Sequence, residues 1–245
     1  MPGTGAPCLA ERWRAHSGTT TFLLLHGAFC NSWVWDETAA AMRADGHRVE
    51  IVDLPSSGPD AALLGDLQAD LAVAHDKLNQ LGTDAVVVAH SGDGMTLTEL
   101  ANDARVQHSV YLAALWPQLG QSIVDLLGAE FPAWMVGRED GSVQVHHDVE
   151  LARQTLCADV DAERFRRDVH PHYVLTSLTS FGSPSSAPQP SHPSTYIVGE
   201  QDHAIPTQAQ EAMAAAATRV ERLPSSHSPM LSMPGNVSAL LAGVS

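Results

Sequence analysis

The stretch Ala85–Gly94, AVVVAHSGDG, constrains this chain more than any other. Small and β-branched apolar residues from Ala85 to Ala89 run into His90-Ser91-Gly92-Asp93-Gly94, after which Met95, Leu97, Leu100 and Ala101 recur at helical spacing. The pattern predicts a buried strand, a sharp turn and a helix. A serine at the apex of such a turn stands clear of its own backbone, with the free N–H groups of the helix N-terminus behind it. That placement suits a nucleophile whose attack creates an oxyanion. The usual spacing is Gly-x-Ser-x-Gly. Here Ala89 fills the first small position, but Asp93 stands in the second, with Gly94 directly after it. Small polar residues behind a buried strand also serve as turn formers and helix caps, so the elbow alone leaves both readings of Ser91 open.

The rest of the chain alternates in the same way. Thr20–Leu25, Arg48–Asp53 and Ser109–Ala113 read as strands, and Trp33–Arg43, Leu63–Leu81 and the segment from the elbow to Asp103 read as helices. A short edge strand is expected nearer the N-terminus. The rhythm breaks between Trp116 and His192, where short helices are expected at Ser122–Leu127, Val149–Leu156 and Ala162–Val169 without any convincing strand, before a proline- and serine-rich loop at Ser183–Pro193. It resumes with a strand at Thr195–Val198, a helix at Thr207–Ala217, a strand at Arg219–Leu223 and a helix at Pro234–Leu241. Strands alternating with helices argue for an α/β fold with a mostly parallel sheet covered on both faces. The expected organisation is a core of residues 1–115 and 193–245 interrupted by a small helical cap insertion, 116–192.

Bulk properties exclude several function classes. With 245 residues and a formal net charge of -15, the chain can bury one sizeable core and is repelled by nucleic acid and by anionic membranes. The three cysteines, Cys8, Cys30 and Cys157, are widely spaced and support neither a disulfide framework nor a zinc site. The N-terminus lacks an apolar run suited to a signal peptide, and no segment is long and apolar enough to span a membrane, so a cytoplasmic protein is expected. Twelve arginines beside the single Lys77 suggest a bacterial source of high GC content.

In parallel sheets, sites form at the carboxyl ends of strands. Four such ends deliver, in order, His26-Gly27-Ala28, Ser91, Asp202 and His227. A serine hydroxyl attacks a carbonyl only with an imidazole to take its proton and a carboxylate to fix that ring's tautomer. Ser, then Asp, then His is the chain order of the α/β-hydrolase triad.

TFLLLHGAFCNSWVW, VVVAHSGDGM, YIVGEQDHAIP and HSPMLSMP resemble the corresponding segments of α/β-hydrolase-fold esterases, in particular the plant methylesterase and hydroxynitrile lyase group and its bacterial relatives. The resemblance runs over nearly the whole chain and is weak between Trp116 and His192. It implies Ser91 as nucleophile, His227 as general base, Asp202 as its orienting acid, and the backbone N–H groups of Ala28 and Gly92 as an oxyanion hole. Neither metal nor cofactor is implied. Glu200 and Asp125 compete for the acid role, with Asp202 preferred because Ile205-Pro206 follows it; the other place where relatives carry an acid holds Ala113. Lyase chemistry is disfavoured, since Ser228 stands where those lyases carry lysine and Gly27 where they carry threonine.

The expected function is hydrolysis of an ester or related acyl bond of a small, largely apolar molecule, with Phe29, Trp116 and Trp134 as pocket walls. The alternatives are an acyl transferase or cyclase on the same residues, and a non-catalytic ligand binder. His26 and His90 are expected to be structural, and His146, His147, His170 and His172 solvated. Asp93 is the main departure, because a carboxylate so close to the oxyanion would oppose developing negative charge.

Overall fold

A computed structural model describes residues 18–128 and 130–244. The expected N-terminal edge strand and Cys8 lie outside the described residues. The main sheet is built from β1 (Thr21–Leu25), β2 (Arg48–Val52), β4 (Ala85–His90), β5 (Val106–Leu112), β9 (Ser194–Gly199) and β10 (Arg219–Leu223), while β3 (Ser57–Gly58), β6 (Met135–Gly137), β7 (Ser142–Val145) and β8 (Leu175–Ser177) form a second, smaller one. The main sheet has the order β10-β9-β5-β4-β1-β2, and every pairing in it is parallel. All residues of β1, β4 and β9 are buried, as continuous apolar runs in a sheet covered on both faces require. The helices Asp36–Ala44 and Pro234–Ala242 pack against each other, and Thr207–Ala214 packs against β9. No helix among the described residues is long and apolar enough to cross a membrane.

Helix starts follow local capping chemistry. The helix expected from Leu63 begins at Leu67, because the Asp66 side chain accepts from the N–H groups of Gln68 and Ala69, and a separate turn occupies Ala61–Leu63. Gly82, left-handed at φ 65°, ends it. The helix expected to run to Asp103 stops at Glu99.

The segment 116–192 departs further from expectation. It carries helices at Ile123–Leu127 and Val149–Leu156, as anticipated, but also β6, β7 and β8, which join β3 of the preceding part of the chain in the antiparallel sheet β3-β8-β7-β6. These strands have two to four residues each, too few for alternation to stand out in the sequence. The expected helix at Ala162–Val169 is helical only to Arg164 and continues as a wider π-turn.

This segment is tied to the main sheet at several points. The Phe29 N–H donates to Thr176 Oγ1 at 2.7 Å, and the Val174 N–H donates to the Phe29 carbonyl at 2.8 Å. On the opposite side, the Glu99 carboxylate accepts from the Ser185 hydroxyl, from both the N–H and hydroxyl of Ser186, and from the Ala187 N–H. One side chain thereby pins the proline-rich loop to the end of the helix that starts at the elbow.

At the elbow itself, Ser91 has φ 54°, in the left-handed region that a non-glycine residue occupies at a cost. A Cβ on Gly94 would sit 2.0 Å from the Leu115 carbonyl oxygen, so glycine here admits the chain returning from β5. The close approach that the elbow pattern assigns to the position of Asp93 is made one residue later. Gly94→Ala is therefore expected to destabilise the protein by about 3 kcal/mol, measured as a lower urea midpoint with unchanged m; an unshifted midpoint would contradict this packing.

Candidate active site

Parallel strands place their carboxyl ends along one edge, and the loops there carry Ala28 after β1, Ser91 after β4, Asp202 after β9 and His227 after β10. The Glu200 N–H donates to the Leu223 carbonyl, and the Gln201 N–H donates to the Ser225 carbonyl, which fastens the Asp202 loop to the His227 loop. The three side chains form one relay. His227 Nε2 lies 2.8 Å from Ser91 Oγ, and His227 Nδ1 lies 2.7 Å from Asp202 Oδ2.

Asp202 is held as a buried carboxylate must be. Oδ1 accepts from the N–H groups of Ala204 (2.7 Å) and Ile205 (2.9 Å), while Oδ2 accepts from the Gln210 amide (2.8 Å) as well as from the imidazole. Gln210 is fully buried, and nothing in the local sequence marks it as a partner of Asp202. With Asp202 accepting at Nδ1, that nitrogen carries the ring proton, and Nε2 is left as the acceptor facing the serine hydroxyl. The competing acids are elsewhere: Asp125 closes a capping box with Ser122, and Glu200 is exposed.

His90 also contributes. Its Nε2–H donates to the His227 carbonyl at 2.9 Å, and burial together with the neighbouring His227 ring holds its pKa well below the usual value. It stays neutral and braces the histidine loop. His26 bonds backbone on both sides, to the Gly27 carbonyl and from the Leu54 N–H. His146 and His170 are half-buried, and His147 and His172 are exposed. Among the described residues no group of three or more His, Cys, Asp or Glu is placed to hold a metal ion. Cys30 and Cys157 are free, buried thiols.

Ser91 and His227 open onto a cavity lined by Ala28, Phe29, Gly92, Leu115, Ile123 and Trp134, with further apolar side chains from the 116–192 segment and the Asp202 loop. Phe29 packs edge-on against Trp134, with ring centroids 5.7 Å apart. The free space is about 20 Å³, room for one water molecule. Trp116, expected on the pocket wall, is not part of this lining. It stacks on Tyr111 at 4.0 Å, and its backbone N–H donates to the Met213 sulfur, so the aromatic beyond the end of β5 belongs to the core. A Cβ on Gly92 would come within 3.4 Å of the Ala28 Cβ and 3.8 Å of its amide nitrogen, so the two backbone positions meet across the cavity mouth.

The alpha/beta hydrolase family profile matches residues 22–240. The chain belongs to the alpha/beta hydrolase family. Similar proteins include a carbendazim hydrolyzing esterase from Nocardioides sp. (strain SG-4G), 33% identical over 117 residues, 45% of this chain and 48% of that one. Methylesterase 1 from Arabidopsis thaliana is 26% identical over 215 residues, 78% of this chain and 82% of its own. With the first of these relatives the matched stretch spans about half the relative's length. Among solved structures, a pyrethroid hydrolase from Sphingobium faniae JZ-2 superposes with TM-score 0.79 at 22% identity, covering 92% of this chain and 96% of that chain, a likeness of fold.

Asp93, the residue that breaks the family's elbow pattern, is buried and accepts from the Thr96 hydroxyl at 3.1 Å. Burial, reinforced by repulsion from Asp70, raises its pKa well above the ordinary carboxylate value. The Asp93 side chain is not among those lining the cavity at Ser91. Asp70 is fully buried, with Oδ1 accepting from the Ser56 N–H and Oδ2 lacking a partner; burial pushes its pKa up to about 6. For an acid whose folded pKa is raised, stability is complete below the unfolded pKa of about 4 and declines as pH rises through the folded value. Asp70→Asn keeps the Oδ1 acceptor and cannot ionise. Its Tm is expected to gain a few degrees over the parent between about pH 4 and about pH 8; a Tm difference constant across that range would contradict the assignment.

Proposed function

We propose that this chain is a serine esterase that cleaves small, largely apolar esters through an acyl-enzyme on Ser91. The observation that carries the reading is the uninterrupted relay of Ser91, His227 and Asp202 ending in an apolar cavity beside the Ala28 and Gly92 amides. The family and the esterases similar to this chain support it.

His227 Nε2 takes the hydroxyl proton as Ser91 Oγ attacks the ester carbonyl, and Asp202 stabilises the resulting imidazolium. The N–H groups of Ala28 and Gly92 receive the tetrahedral oxyanion, each donor contributing about 3 kcal/mol to its stabilisation. The imidazolium returns its proton to the departing alcohol. A water activated by the same ring then attacks the acyl-enzyme and releases the acid and the free serine.

Residues 1–115 and 193–245 act in this reading as the catalytic body, and 116–192 as a cap. Because the cavity holds only about one water, the cap side must move outward to admit a substrate. Phe29 and Trp134 then form the wall against the acyl group.

Turnover of p-nitrophenyl acetate tests the reading. Ser91→Ala and His227→Ala are each expected to lose at least about a thousandfold in kcat, and a fluorophosphonate probe is expected to label Ser91 in the folded parent. A folded protein that binds the ester without turnover, and whose Ser91 resists the probe, would instead be a binding protein.

A further inference from the structure

The 116–192 segment reaches the histidine loop directly, through a contact the catalytic scheme above does not use. Asp159, in the turn after the helix Val149–Leu156, accepts two bonds from Ser226, the residue immediately before His227. Its Oδ2 accepts from the Ser226 N–H at 3.0 Å, and its Oδ1 accepts from the Ser226 hydroxyl. Ser226 is buried, so no water competes for these donors, and both are satisfied by one carboxylate that comes in from the surface. The same stretch of the segment makes two further contacts with the loops that carry the relay. The Gln154 carbonyl accepts from His203 Nδ1 at 2.8 Å, next to Asp202, and the Arg164 guanidinium donates to the Leu231 carbonyl at 2.8 Å, four residues after His227.

On the far side, His90 holds the His227 carbonyl. The backbone of the histidine is thus fixed by the main sheet after its Cα and by the cap before it. We propose that Asp159 is a positioning residue: by holding both polar groups of Ser226 it sets the reach of His227 to Ser91, so that the seating of the cap and the assembly of the base are one event. A cap lifted off the site withdraws Asp159 with it and lets the Ser226–His227 backbone relax. The relay is complete only while the segment is seated on the histidine loop. The inference rests on the esterase reading for its kinetic consequence, and on the hydrogen bonds alone for its structural one.

Asp159→Ala removes both acceptors. Asp159→Asn keeps an acceptor for the Ser226 N–H and offers an N–H to its hydroxyl, so it restores the grip without the charge. With p-nitrophenyl acetate, Asp159→Ala is expected to lower kcat about tenfold or more, with KM within about twofold, and Asp159→Asn to recover most of kcat. A stability role alone would lower the melting temperature and leave kcat of the folded enzyme untouched. The second measurement needs no turnover: the downfield proton resonance of His227 Nδ1–H is expected to broaden or shift in Asp159→Ala and to return in Asp159→Asn. An unaltered resonance in Asp159→Ala overturns the proposal whether or not the parent hydrolyses esters. An active parent whose Asp159→Ala variant keeps its kcat overturns it while leaving the esterase reading intact. A parent that turns over no ester sinks that reading, and the resonance then decides the fate of Asp159.

Discussion

The site is organised by the four hydrogen bonds that converge on the Asp202 carboxylate. An ion removed from water is tolerated only if its lone pairs are met by donors. Here two backbone amides, a buried glutamine and the imidazole meet them. Three of those donors come from the Asp202 loop and the helix behind it, so the carboxylate is held independently of the histidine loop. The ring that docks on it has one orientation and one tautomer, which leaves an acceptor facing Ser91. The left-handed backbone of Ser91 and the missing Cβ of Gly94 complete the arrangement from the other side.

The elbow illustrates how a chain departs from a pattern while keeping its physics. The family pattern uses a small residue where the helix crosses the returning chain, and Asp93 occupies that place. The backbone turns so that Gly94 meets Leu115, and the Asp93 side chain is folded inward to a hydroxyl partner in buried surroundings that raise its pKa. The cost is a pair of buried acids, Asp93 and Asp70, that disfavour each other's ionisation. Neither is among the residues lining the cavity at Ser91.

Much of this was legible in the sequence, and the reason is periodicity. The apolar runs at Thr21–Leu25, Ala85–Ala89 and Thr195–Val198 have no alternative to a doubly covered sheet, and once the strands are parallel their carboxyl ends must share an edge. That is why the neighbourhood of Ser91, Asp202 and His227 follows from strand ends alone. What was illegible has no local signature. The strands at Met135–Gly137, Ser142–Val145 and Leu175–Ser177 are shorter than a pattern can reveal, and they exist because they pair with one another and with Ser57–Gly58. Trp116 reads as a pocket wall because an aromatic beyond a strand end looks alike in sequence whether it turns to the ligand or, as here, onto Tyr111. Gln210, His90 and Asp159 act through partners in distant loops, and only the folded chain brings Asp159 to Ser226 across 67 residues.

The account stands or falls on whether Ser91 carries the acyl group. Rapid-quench mass spectrometry of the parent reacting with p-nitrophenyl acetate measures this directly. The account predicts a transient acetyl adduct on the peptide that contains Ser91, decaying as acetate is released and absent from Ser91→Ala. Ester turnover with no adduct on Ser91, or with the acetyl group on another residue, would contradict it.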